Sequence, residues 1–359
     1  MLLQRNSLNF DGENIYVGID VHKKSWSISI MTDTLVLKGY NGPADPVQLV
    51  SHLRDHYPGG SYHSVYEAGF CGLWIHNRLT ELGVKNIVVN PSDVPCNGKE
   101  RERKTDAVDA SKLARSLRAG ELSGIYIHQQ ETLHDRSLMR LRSSWVTDMT
   151  RLKNRIKGML HYYGIVIPAE LERSSNWSRA FMTWLKNTVL PSGEISKPAF
   201  ELLLEEYERK RGQQLVILRK IRELSRTAAY HEDMKYLRSV CGIGLLSGMH
   251  LLVNIENIHR FENRDKFASF MGFVPTSHST GEKQINGRIT KRAPKELRGI
   301  LTECAWIAMR NDPALALKYG QLRKRMDENK AIIRIARKLC NRIYYVLKNK
   351  TEYVSGVVQ

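Results

Sequence analysis

Four carboxylates have the types and positions that chemistry on a phosphate needs. Asp20 closes an apolar run, YVGID, and Glu67 closes another, SVYEAG. Asp106 and Asp109 stand three residues apart in KTDAVDASKLA, a helix-forming stretch. Residues i and i+3 share a helix face, near enough for their side chains to touch. Two like charges there cost about 0.2–0.5 kcal/mol, and bound metal charge offsets that cost. Phosphodiester chemistry with two Mg²⁺ ions calls for several carboxylates around one small volume, the ions sitting about 3.5–4 Å apart. Oxygen ligands, rather than His or Cys, suit Mg²⁺. A single carboxylate ending a buried strand is also an ordinary turn residue. The reading of Asp20, Glu67, Asp106 and Asp109 as one Mg²⁺ site therefore rests on their convergence in a basic chain. A strand–GID–strand pattern also occurs in phosphotransferases of the actin and hexokinase type. Those need a glycine-rich turn after the aspartate to approach nucleotide phosphates; here VHKKSW follows instead.

The elements that must position these residues follow from hydrophobic period. Residues 15–20, 25–31 and 34–39 read as three successive strands, and SWSISIM alternates as a strand with one wet face does. NGPADP breaks the chain, and 44–56 reads as an amphipathic helix. Residues 61–68 form a fourth strand, 71–83 a helix ending at Gly83, and KNIVVNP a fifth strand. A three-strand meander followed by alternating helix and strand is an α/β layout with a mixed sheet, assigned to residues 1–128.

The period changes near Glu131. Leu138, Leu141, Trp145, Met149, Leu152, Ile156, Met159 and Tyr163 fall three or four apart, a heptad seam on a long helix. Basic residues, among them Arg151, Arg155 and Lys157, fill its other faces. A second long helix at about 197–226 makes the segment 129–230 a coiled-coil arm or a plain helical hairpin. The third region, 231–359, holds a Gly-Ile-Gly turn in YLRSVCGIGLLSGMHLL that resembles a helix-hairpin-helix and presents backbone N–H groups to a phosphate. Its last helix, 328–349, sets Ile332, Ile335, Ala336, Leu339, Ile343 and Val346 on one side and Arg334, Arg337, Lys338 and Arg342 on the rest.

The 359 residues carry 55 Lys+Arg against 37 Asp+Glu, a net charge of +18, which points to a polyanionic partner. Five cysteines, scattered and without a CxxC pair, argue for a reduced compartment with no disulfide framework and no structural zinc. No signal peptide and no apolar run of about 18 residues is apparent, so a cytoplasmic protein without a membrane span is expected.

YVGIDVHKKSW, YEAG and KTDAVDASKLA together resemble the N-terminal RuvC-like domain of the DEDD-type insertion-sequence transposases, a family that includes the Piv-type DNA invertases. VCGIGLLSGMHLL, FASFMGFVPTSHSTGEK and GRITKRAPKELRGILTECAW resemble that family's C-terminal transposase domain, in the same order. The resemblance implies an RNase H-like domain, a coiled-coil arm and a small helical C-terminal domain. It implies that Asp20, Glu67, Asp106 and Asp109 are the catalytic tetrad. It also implies a hydroxyl nucleophile just before Gly281, hence Thr280 or, one residue away, Ser279; Ser277 is a weaker candidate. Thr280 stands where family members have serine, and ITKRAPKELR lacks the Gly-Asn that many relatives carry after the lysine. Implied partners are donor and target double-stranded DNA, a structured non-coding guide RNA, and further copies of the chain as a dimer and tetramer, working in the bacterial cytoplasm at the nucleoid. Nucleic acid is expected along Arg151, Arg155, Lys157, Lys283, Arg288, Lys291, Arg334, Arg337 and Lys338. The competing activities are a RuvC-like Holliday-junction nuclease, a site-specific DNA invertase, and a nucleic-acid-binding protein with a vestigial site.

Overall fold

The computed structural model describes residues 9–97, 105–172, 177–188, 197–280, 283–290 and 293–356. The chain divides into two compact units, Met1–Ile127 and His128–Gln359.

The first unit is a five-stranded sheet of order β3-β2-β1-β4-β5, built from β1 (Asn14–Val21), β2 (Ser25–Met31), β3 (Val36–Pro43), β4 (Ser61–Glu67) and β5 (Lys85–Val89). β1, β2 and β3 form an antiparallel meander, while β4 and β5 run parallel to β1. Successive residues of a strand face opposite sides. Ile15, Val17 and Ile19 of β1 therefore pack on one face with Leu49, Val50 and Leu53 of α1 (Pro46–His56) and Ile75 and Leu79 of α2 (Trp74–Glu81). The opposite face takes α3 (Asp106–Arg118), whose Leu113 joins Val65 of β4 and Val89 of β5 in a second, smaller cluster.

Gly18 decides how close α3 lies. A Cβ at this position would stand 2.1 Å from the carbonyl oxygen of Ala110 and 2.4 Å from the amide nitrogen of Ala114. Only a residue without a side chain lets the helix backbone rest on β1 at that distance.

Three elements of the first unit start two or three residues later than the sequence expectation. β3 runs from Val36 to Pro43 instead of 34–39, because its register pairs Ser25 with Pro43 and residues 33–35 form the turn out of β2. α1 starts at Pro46, where Asp45 accepts a hydrogen bond from the Val47 amide and the proline occupies the first turn. The helix expected over 71–83 is confined to Trp74–Glu81.

In the second unit, α4 (Gln130–Tyr162) packs along α6 (Lys197–Leu224). Met149, Leu152, Ile156 and Leu160 meet Phe200, Leu204 and Tyr207, with Phe181, Met182 and Leu185 of α5 (Arg179–Asn187) completing the cluster. Leu141, expected in the seam, is 43% exposed, and Met139 is buried instead. At that end α4 turns its Met139 face to the cluster made by α7 (His231–Ser239), α8 (Leu245–Ile255), α9 (Arg264–Phe270), α10 (Lys295–Asn311), α11 (Pro313–Arg323) and α12 (Glu328–Asn349). Ile332, Ile335, Ala336, Leu339, Ile343 and Val346 of α12 are all buried there, as the helical period requires.

Gly242, between α7 and α8, has φ +89, and a Cβ on it would meet the Cys304 carbonyl at 2.3 Å. The start of α4 is held by Glu256, which accepts from the Gln129 amide at 3.0 Å and the Thr132 hydroxyl at 2.8 Å and contacts His128 Nδ1 at 2.8 Å. A two-stranded antiparallel hairpin, β6 (Pro275–Thr280) and β7 (Lys283–Ile289), precedes α10. Among the described residues no helix is long and apolar enough to cross a membrane.

Candidate catalytic site

Strand alternation sets two of the four carboxylates on the face that carries α3. Asp20 is two residues beyond Gly18, and Glu67 is two beyond Val65. β1 and β4 run parallel with Gly18 opposite Val65 and Ile19 opposite Tyr66, so the next step along each strand is Asp20 beside Glu67. α3 starts over these strand ends. Thr105 caps it by accepting from the Val108 amide, which puts Asp106 and Asp109 in its first turn. Acidic residues there also complement the helix dipole, an ordinary structural use. The seat on Gly18 is what brings this turn to Asp20.

The tetrad is arranged as two adjoining pairs, each with its own basic side chain. Asp20 and Asp106 share His22, whose Nε2 lies 3.2 Å from an oxygen of each. One ligand atom from each of Asp20, His22 and Asp106 falls within 4.8 Å of the others. On the other side, Lys112 Nζ lies 2.9 Å from Asp109 and 3.8 Å from Glu67. Burial pushes the Asp20 carboxyl above its ordinary range; His22 draws it back, and the charges of Asp106 and Asp109 push it up again. A carboxylate raised by burial and by two like charges is one that a bound cation stabilises.

The donor set fits a divalent ion. Asp20 and Asp106 offer carboxylate oxygens and His22 offers an imidazole nitrogen at compatible separations. Oxygen donors suit Mg²⁺ and Mn²⁺, and the imidazole adds affinity for the transition metal. His22 and Lys112 were absent from the sequence reading. Their only signals were position: His22 follows Asp20 by two residues, and Lys112 follows Asp109 by one helical turn.

The remaining candidates belong to the second unit. Thr280 ends β6 and pairs with Lys283, and Ser279 pairs with Gln284. The side chains of Ser277, Ser279, Thr280, Lys283 and Arg288, and all of Gly281 and Lys291, lie outside the described residues. Arg151, Arg155 and Lys157 are exposed on α4, and Arg334 and Lys338 are exposed on α12. Arg337 is engaged within the protein. It donates to the Phe273 carbonyl and to Asp265, each at 2.8 Å.

A mixed five-stranded sheet with its acidic residues at adjoining strand ends, under a helix that supplies two more, is consistent with an RNase H-like domain carrying an acidic metal site. Comparison with known proteins gives the family. Residues 17–165 match the DEDD transposase family of the IS110 type, described as "Transposase". Residues 234–320 match "Transposase IS116/IS110/IS902 family". The chain is 27% identical over 309 residues to the transposase for insertion sequence element IS1533 of Leptospira borgpetersenii, covering 81% of this chain and 84% of that one. It is 25% identical over 283 residues to the transposase for IS1111A of Coxiella burnetii, covering 77% and 74%. Against the putative transposase y4qE of Sinorhizobium fredii identity is 29% over 241 residues, 67% of this chain but only 57% of the relative. The chain belongs to the DEDD-type insertion-sequence transposases, a family of enzymes that act on DNA.

Proposed function

We propose that this chain cuts and rejoins DNA at the ends of an insertion sequence, using Mg²⁺ bound at the acidic tetrad Asp20, Glu67, Asp106 and Asp109. The observation that carries the reading is the meeting of Asp20 and Asp106 with His22 at one strand end of a strongly basic chain. When bound, the metal charge stabilises the attacking and leaving oxygens of the phosphodiester. The protein's own contribution is positional: β1 and β4 fix Asp20 and Glu67, and the seat on Gly18 fixes Asp106 and Asp109. The hydroxyl of Thr280, or else Ser279, attacks phosphorus: the new side-chain O–P bond forms as the P–O bond to one deoxyribose breaks, that sugar oxygen leaves as a hydroxyl in exchange for the nucleophile's proton, and the other DNA end stays attached to the protein; only the oxygen is needed for that step, so threonine serves in place of serine.

In this reading residues 1–128 are the RuvC-like catalytic domain. Residues 129–230 are a coiled-coil arm, and 231–359 are the C-terminal transposase domain, with the Gly-Ile-Gly turn acting as a helix-hairpin-helix. Exposed Arg151, Arg155, Lys157, Arg334 and Lys338 contact phosphates, and Lys283, Arg288 and Lys291 are assigned the same role. A structured RNA from the same element guides a dimer that assembles as a tetramer on donor and target DNA in the bacterial cytoplasm.

The test is incubation with DNA carrying the element's ends and Mg²⁺, followed by denaturing electrophoresis. A protein–DNA adduct that disappears in Thr280→Ala and persists in Ser279→Ala is expected. The reverse pattern moves the nucleophile to Ser279. Cleavage without any adduct makes the protein a junction nuclease, and neither cleavage nor adduct leaves a binding protein.

A further inference from the structure

Lys112 is out of character for a lysine. Its side chain is 11% exposed, whereas the lysines of ordinary helix-surface pairs here, Lys220 with Glu223 and Lys330 with Asp327, are 64% and 75% exposed. Lysine is almost never buried unless paired. Lys112 is paired twice, with Asp109 at 2.9 Å and Glu67 at 3.8 Å, and both partners are members of the acidic tetrad. Its place is fixed by the same close approach of α3 to β1 that fixes Asp109, because the two residues are one turn apart on that helix.

The tetrad therefore has two unequal halves. Among the described residues, Asp20 and Asp106 meet a histidine, which can itself serve as a metal ligand. Glu67 and Asp109 meet a lysine, whose ammonium has no lone pair to offer a metal. We propose that Lys112 is a built-in replacement for one of two metal ions: its ammonium occupies the Glu67–Asp109 half, and the site takes one exchangeable divalent ion, at Asp20, His22 and Asp106. Lys112 is then a positioning residue. It holds Glu67 and Asp109 in place and cancels part of the negative charge that would repel a phosphodiester.

The inference rests on the metal-dependent reading of the tetrad, and ion counting separates the two. Mn²⁺ bound to the full-length protein is counted by electron paramagnetic resonance and by calorimetry, in wild type and in Lys112→Met, Lys112→Gln and Lys112→Arg. Folding of each variant is checked by circular dichroism. One ion is expected in wild type and in Lys112→Arg. Two are expected in Lys112→Met and Lys112→Gln, with the spin–spin coupling of a close Mn²⁺ pair. Two ions in wild type overturn the lysine's role while leaving the metal site intact, and this count stands even where a variant fails to fold. One ion in all four proteins also overturns it, since the lysine then excludes nothing. No ion in any of them overturns the metal reading itself.

Discussion

Replacing Gly18 with alanine adds one methyl group and should disable the site. The new Cβ would stand 2.1 Å from the Ala110 carbonyl oxygen and 2.4 Å from the Ala114 nitrogen. Both obstacles are helix backbone, so no side-chain rotation relieves them. Restoring an ordinary 3.4 Å contact to that oxygen requires α3 to lift off β1 by about 1.3 Å. Overpacking of this kind costs about 1–3 kcal/mol. The upper end applies here, because α3 buries Ala110, Leu113, Ala114 and Ser116 against the sheet and would loosen all of them. For a unit of this size that corresponds to a fall in Tm on the order of 10 °C. The catalytic effect should exceed the stability effect, since Asp106 and Asp109 ride on the displaced helix while Asp20 stays on the strand. A misplacement of about 1 Å costs roughly 100-fold in rate. Differential scanning calorimetry and a strand-cleavage assay below the new Tm measure the two effects separately. Unchanged Tm and unchanged cleavage in Gly18→Ala would refute the claim that Gly18 seats α3. A lowered Tm with full cleavage would refute the link between that seat and the site.

Asp106→Asn should abolish strand cleavage and weaken Mn²⁺ binding while leaving nucleic-acid affinity within about threefold, read by filter binding, because Asp106 contributes a ligand and no phosphate contact. Arg334→Ala with Lys338→Ala should flatten the slope of log affinity against log salt by about 1.8 on duplex DNA, the loss of two phosphate contacts; an unchanged slope would leave both residues as solubilising charge. Arg337 belongs outside that variant, because its loss strips partners from Phe273 and Asp265. Stability should also fall on acidification below about pH 6.5, the ordinary histidine value. Burial, then the charge of Arg136, hold His128 at about 4 in the folded chain, although Glu256 pulls it upward. The unfolded chain therefore takes up a proton that the folded one refuses, and the loss grows as pH falls toward 4. It reaches about 2 kcal/mol at pH 5, on the urea midpoint, and His128→Gln should remove most of it.

The carboxylates were legible because strand ends and helix starts leave marks in sequence. Apolar runs that stop at Asp20 and Glu67 declare where strands end, and Thr-Asp before a helical period declares a capped start. The period of two even puts both strand acids on one face, once β1 and β4 are known to be parallel neighbours. The basic side chains among them were illegible for a physical reason. His22 and Lys112 acquire their roles from groups far away in the chain, Asp106 for the one and Glu67 for the other. A lysine one turn after an aspartate reads, on any helix, as a surface ion pair. The seam of α4 shows the same limit. Its period fixed the contacts of Met149, Leu152 and Ile156 with a helix partner, but failed at Leu141, where the partner becomes a different cluster and the buried face rotates to Met139. Gly18 joins the two cases. Inside GID it reads as a weak strand residue, a cost with no visible return. The return comes from Ala110 and Ala114, far along the chain, whose backbone occupies the space a side chain would fill. One missing methyl thus carries Asp106 and Asp109 to Asp20, and Lys112 to Glu67.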